Sequence, residues 1–253
     1  MKFSANLGFL WTDRPLPDAI HAAATAGFDA VELHGPYHVP PADIRAALDA
    51  TGLPVLGINT TRGDRSAGQI GRAALPGFEA EARTDIDAGI AYARTIGAKA
   101  LHVLAGCIKG PAARRTFADA LAYAAEAAPD LMILTEPLSP ASADGYLVTH
   151  VADAADLISG LKTTNLRILF DCFHVGQTEG DILGTLDAHW PLIGHIQIAS
   201  LPDRQRPDLG DFDYADLYAF LTDRGWSTPL GAEYHPRAGT DGDTGWLDAA
   251  RAP

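Results

Sequence analysis

The stretch RILFDCFH, residues 167–174, runs through a short apolar segment to an acidic residue, Asp171, and continues at once with more apolar side chains. A strand packed inside a protein avoids a carboxylate unless its end opens onto a site. Three further runs end the same way. LMILTEP (131–137) reaches Glu136, GHIQIAS (194–200) carries Gln197, and PLGAEYHP (229–236) carries Glu233. Outward from these, short runs rich in Val, Ile and Leu alternate with Ala-rich segments of helical period, the pattern of a parallel sheet covered by helices. Strands are predicted at 3–7, 29–33, 54–59, 99–104, 131–136, 167–171, 193–198 and 230–234. Their spacing is about the 30 residues of one βα unit in an eight-fold barrel. Helices are predicted between them, at 17–27, 79–97 and 117–128 among others, the first two ending on a glycine suited to a C-cap.

An open, doubly wound sheet would show the same alternation. No GxGxxG or GxxxxGK[ST] follows the first strand, so the expected fold is an α/β (β/α)8 barrel, a single domain over 1–253. The Pro/Gly-rich segments 35–41 and 202–210 read as loops within it. A last helix near 244–252 is short, which leaves one side of the barrel to be covered by another subunit, so a homo-oligomer is expected.

With 47% hydrophobic and 20% charged residues the chain has a full core, and its net charge of −13 disfavours nucleic acid or an anionic membrane as a partner. Cys107 and Cys172 form no CxxC pair and cannot build a disulfide framework. Cys172 is expected to pack. With no apolar run of membrane-spanning length and no leader-like N-terminus, a cytoplasmic setting is expected.

Glu136, Asp171, Gln197 and Glu233 lie 35, 26 and 36 residues apart, on four successive βα units whose strand ends converge at the barrel mouth. Three carboxylates gathered without compensation repel one another; a divalent cation removes that cost. The set suits one Mg²⁺ or Mn²⁺ better than zinc, which prefers His or Cys, although Co²⁺ and Zn²⁺ stay open. His174, three residues beyond Asp171, is placed in the loop over the mouth, where it can hydrogen-bond a substrate oxygen or move a proton. His195 shares a face with Gln197 and would lie behind the metal ligands. Glu32 in DAVELHG points inward, toward substrate or an interior neighbour. Arg204 suits a substrate carboxylate, with a surface role as the alternative.

FSANL (3–7), PGFEAEAR (76–83), TEP (135–137), FDCFH (170–174) with EGD (179–181), IGHIQIA (193–199) and GAEYHP (231–236) resemble, in order and across nearly the whole chain, the hydroxypyruvate isomerase family of the xylose-isomerase-like barrels. The resemblance implies that Glu136, Asp171, Gln197 and Glu233 are metal ligands, that the two glutamates are the acid–base pair, and that His174 and Arg204 stand near substrate. Departures fall around the pocket. Ile58-Asn59 stands where the family commonly has His-Asn, with Asn59 still expected at substrate; Ala199-Ser200 replaces Ala-Asp, RPDLGD (206–211) replaces a Gly- and Glu-bearing loop, and Ser139 replaces an Asn. The expected reaction converts hydroxypyruvate to tartronate semialdehyde. The ion would hold adjacent carbonyl and hydroxyl oxygens of an enediolate while one glutamate removes a proton and the other returns one. Alternatives are a 2-oxo-tetronate isomerase, a ketose 3-epimerase, and a barrel that binds metal and sugar acid without catalysis. An apurinic-site endonuclease would need a His-rich multi-zinc site and a basic face.

Overall fold

A computed structural model describes residues 1–251 apart from 65, 67 and 238. Eight parallel strands close into a barrel in sequence order, β1 (Phe3–Asn6), β2 (Ala30–Leu33), β3 (Val55–Asn59), β4 (Ala100–His102), β5 (Met132–Thr135), β6 (Leu166–Asp171), β7 (Ile193–Ile198) and β8 (Leu230–Ala232), with β8 pairing back onto β1. Around them lie α1 (Leu16–Thr25), α2 (Pro41–Thr51), α3 (Glu79–Ile96), α4 (Pro111–Ala127), α5 (Val151–Ser159), α6 (Cys172–Thr178), α7 (Ile182–Ala188), α8 (Tyr214–Asp223) and α9 (Trp246–Arg251). Helical crossovers between successive parallel strands make closure in this order the direct solution for a βα repeat.

All eight predicted strands stand: β7 keeps its predicted bounds, β6 begins one residue earlier, β4 loses three residues and the others lose one or two. Glu136 and Glu233 fall just beyond β5 and β8, in the loops that leave the barrel. α4 begins six residues before its predicted start, because Pro111 fits the first turn, where its missing N–H is no loss. The expected last helix is α9; its end at 252 lies outside the described residues. α9 is short but covers its side of the barrel. Trp246 is buried edge-on against Phe3 of β1, with ring centroids 4.9 Å apart, and Arg251 bonds to Asp29 and to the carbonyl of Gly27.

Strand alternation sends every second side chain into the barrel. In β4, β5 and β6 this gives Ala100, Leu134 and Leu169, which form a small apolar floor with Met132. Two residues further on, the same faces carry His102, Glu136 and Asp171. Repeating the count on the other strands gives Asn6, Glu32, Asn59, Gln197 and Glu233. The last inward position of all eight strands is therefore polar, a ring of hydrogen-bonding groups above an apolar floor. Register shifts between Val31 and Glu32 and between Ile168 and Leu169 lie just beneath two of these positions, where an irregular pairing re-aims the side chains above it.

Candidate active site

Every member of the ring except Asn59 is buried. Arg204, from the connection between β7 and α8, sits among them with 8% exposure. Its Nη2 donates to Asp171 Oδ2 at 2.8 Å and to Glu233 Oε1 at 2.6 Å, and its Nη1 lies 3.2 Å from His174 Nε2. The Phe9 and Phe173 rings flank the guanidinium, each 4.7 Å from its central carbon to the ring centroid. The surface role considered for Arg204 is thus excluded: its long side chain crosses the mouth to neutralise two converging carboxylates. Arg204 has φ +52, a left-handed backbone that costs a non-glycine residue about 1–2 kcal/mol. Hydrogen bonds to Ser200 O and from His235 N hold it there. Ser200, in place of the family's Asp, braces the same loop by accepting from Gln205 N.

His174 lies in the first turn of α6, not in a loop, because the helix starts directly after Asp171, whose carboxylate caps it through Phe173 N. Its Nδ1 meets the backbone N–H and hydroxyl of Ser139 at 3.2 and 3.1 Å, so the serine at this departure from the family pattern orients the ring. Burial, reinforced by the Arg204 charge, pulls the His174 pKa down to about 3, so the ring is neutral near pH 7. Cys172 packs in the core.

Glu32, within the ring, and His195, one inward position below Gln197, form a support for the Gln197 amide. Gln197 Nε2 donates to Glu32 Oε2 at 2.7 Å, and His195 Nε2 lies 3.1 Å from Glu32 Oε1. Glu32 satisfies interior neighbours: it fixes the Gln197 amide by its nitrogen and leaves Gln197 Oε1 without a partner among the described residues. Gly231, on the neighbouring strand, gives them room, since a Cβ there would run into the Glu32 carboxylate and the Gln197 side chain. Gly231→Ala is therefore expected to displace both and to lower activity at least about tenfold with the barrel intact by circular dichroism; unchanged activity would show that this support is dispensable. Asn59 lines a small cavity with Glu32 and Gln197, and its carbonyl accepts from Tyr37 Oη at 2.7 Å. Ile58 is buried in the main core.

Three members of the site were missed from sequence. Asn6 donates to Glu233 Oε2 at 2.6 Å, His34 Nε2 lies 3.6 Å from that oxygen, and His102 Nδ1 lies 3.6 Å from Glu136 Oε2. Asn6 and His102 occupy the last inward positions of β1 and β4, so the alternation that revealed Glu32 would have found them.

The carboxylates differ in environment. Burial raises Glu136 well above the usual range, and Glu233 and Asp171 add to it; its Oε1 accepts no hydrogen bond among the described residues. Burial also pushes Asp171 up, to about 6, against the pull of Arg204. For Glu233 burial is outweighed by Arg204 and His34, which hold it down at about 2. A carboxyl whose folded pKa is raised contributes stability that is full below its ordinary value and is lost as pH climbs through the folded one. For Asp171 that window runs from 3.8 to about 6; for Glu136 it begins at 4.5 and extends higher. Chelator-treated protein should lose melting temperature from about pH 5 to about pH 8, and Glu136→Gln should recover about 2–5 °C at the upper end. A lower melting temperature for that variant at about pH 8 would contradict this electrostatic picture.

A ring of buried polar groups at the C-terminal mouth of a closed parallel barrel, above an apolar floor, defines a barrel enzyme. A family model described as xylose isomerase-like TIM barrel matches residues 20–252, and the chain belongs to that family. It is 39% identical over 252 residues to a 2-oxo-tetronate isomerase of Cupriavidus necator, covering 97% of each chain. It is 32% identical over 259 residues to the hydroxypyruvate isomerase of Escherichia coli, covering 99% of this chain and 100% of that one. A crystal structure from Brucella melitensis, described as an AP endonuclease, family 2, superposes with a TM-score of 0.94 at 31% identity over 99% of each chain.

Proposed function

We propose that the protein isomerises a short hydroxy-carbonyl acid by moving a proton between adjacent carbons, with Glu136 and Glu233 as the acid–base pair. The observation that carries this is the pairing of two buried glutamates of opposed environment in one oxygen-rich cluster. The cluster also fits a divalent cation. Glu136, Asp171 and His174 each offer a ligand atom within 4.8 Å of the others, and Glu136 Oε1 and Gln197 Oε1 are buried acceptors without partners among the described residues. Glu136, Asp171, Gln197 and Glu233 would hold it, and their oxygens suit Mg²⁺ or Mn²⁺. When bound, such an ion draws electron density from a carbonyl and makes the neighbouring C–H more acidic.

The chain's own groups carry the proton. One glutamate takes it from the hydroxyl-bearing carbon and the other returns one to the former carbonyl carbon, while the hydroxyl proton passes to the carbonyl oxygen. His174, neutral and fixed by Ser139, can hydrogen-bond a substrate oxygen, as can Asn59. Arg204 supplies the forked donor that a substrate carboxylate requires. Glu32 and His195 act through Gln197.

The identities favour a four-carbon 2-oxo-tetronate ahead of the three-carbon hydroxypyruvate that the motifs suggested first. A panel of kcat/KM values over 2-oxo-tetronate, hydroxypyruvate and a ketohexose tests this. The highest value is expected for one of the two acids, and preference for the ketohexose would replace this reading with a 3-epimerase. The endonuclease reading is disfavoured by the net charge of −13, which repels a phosphate backbone.

A further inference from the structure

Asp171 Oδ2 and Glu233 Oε1, oxygens of two proposed metal ligands, are already joined by one positive group, Arg204 Nη2, at 2.8 and 2.6 Å. A Mg²⁺ or Mn²⁺ ion binds carboxylate oxygen at roughly 2.0–2.2 Å, so it cannot occupy the point between these oxygens while the nitrogen is there. The guanidinium is held by charge and by shape, flanked by two phenyl rings and carried on a left-handed backbone.

We propose that Arg204 is the site's built-in counter-cation, which a divalent ion must displace. In the metal-free protein it offsets the repulsion of Asp171 and Glu233. When the ion arrives, the guanidinium gives up these two oxygens and turns within the slot between Phe9 and Phe173, releasing also the Nε hydrogen bond to Glu233 O at 3.3 Å and the Nη1 contact with His174 Nε2 at 3.2 Å. Its fork is then unsatisfied in a buried place and is free for the carboxylate of an acid substrate. Arg204 thus sets metal affinity and orders the two binding events, cation first. This rests on the proposed reading of the cluster as a metal site.

The test is Mn²⁺ binding to the full-length, chelator-stripped protein at about pH 8, where protons compete weakly, followed by electron paramagnetic resonance of free Mn²⁺. Arg204→Gln removes the competing charge and should bind Mn²⁺ at least about tenfold more tightly than the parent, with Arg204→Lys between them. Without metal the order of melting temperatures should be reversed, the parent highest. Equal or weaker Mn²⁺ binding by Arg204→Gln, with the parent binding normally, overturns the exchange and leaves the metal site standing. No Mn²⁺ bound by either overturns both. Should the glutamine variant fail to fold, the parent labelled with [15N]arginine gives an independent readout, its Arg204 Nε–Hε signal assigned by its absence in Arg204→Lys. That signal should shift on saturation with Mg²⁺, and a signal unmoved at saturation overturns the exchange.

Discussion

Glu233→Gln is expected to lower kcat by roughly 10²- to 10⁴-fold, the range a positioned acid–base group contributes. Both carboxylate oxygens of Glu233 are acceptors here, Oε1 from Arg204 and Oε2 from Asn6. Glutamine keeps one acceptor and turns the other into a donor, so it also leaves Arg204 or Asn6 facing a like group. Loss of the proton-transfer group appears in kcat, whereas the misplaced donor appears in substrate or metal affinity, and the two separate in a full Michaelis analysis. A fall of less than about tenfold in kcat, with the variant folded and metal-replete, would remove Glu233 from the proton-transfer step.

Trp246→Ala should be the most damaging of the structural changes. The indole is 2% exposed, packs edge-on to Phe3, Phe28 and Tyr234, and donates to Tyr234 Oη at 3.2 Å. Truncating a buried aromatic of this size costs about 3–5 kcal/mol, or about 6–20 °C of melting temperature in a domain of this length. The damage falls at the seam where β1 meets β8, the closure of the barrel. A drop below about 2 °C would show that α9 does not hold that seam.

The alternation of apolar runs and helical segments made the barrel legible, because a parallel sheet buried on both faces leaves continuous Val/Ile/Leu runs at regular spacing. Glu136, Asp171, Gln197 and Glu233 stood out for a related reason, as polar groups at the ends of such runs. Their neighbours were harder to see. Asn6 is neutral and followed by Leu7, so it does not stand out as a carboxylate does, and His102 is followed by Val103 and Leu104, which continue the apolar run and hide the strand's end. The start of α6 was hidden because the helix is only seven residues long, too short to show a helical period after Asp171. Arg204 could be chosen as a residue of interest, but not placed. Its position depends on a loop conformation with a positive φ and on two rings, Phe9 and Phe173, far apart in sequence.

The central claim, that this mouth moves a proton between carbons with the help of a divalent cation, is tested most directly by proton NMR of 2-oxo-tetronate and hydroxypyruvate in D₂O, with Mn²⁺-loaded and then chelator-stripped protein. The account predicts conversion only in the loaded sample, with solvent deuterium entering at the carbon that receives the proton. Conversion that persists after stripping, or product that retains all of its original hydrogen, would contradict it.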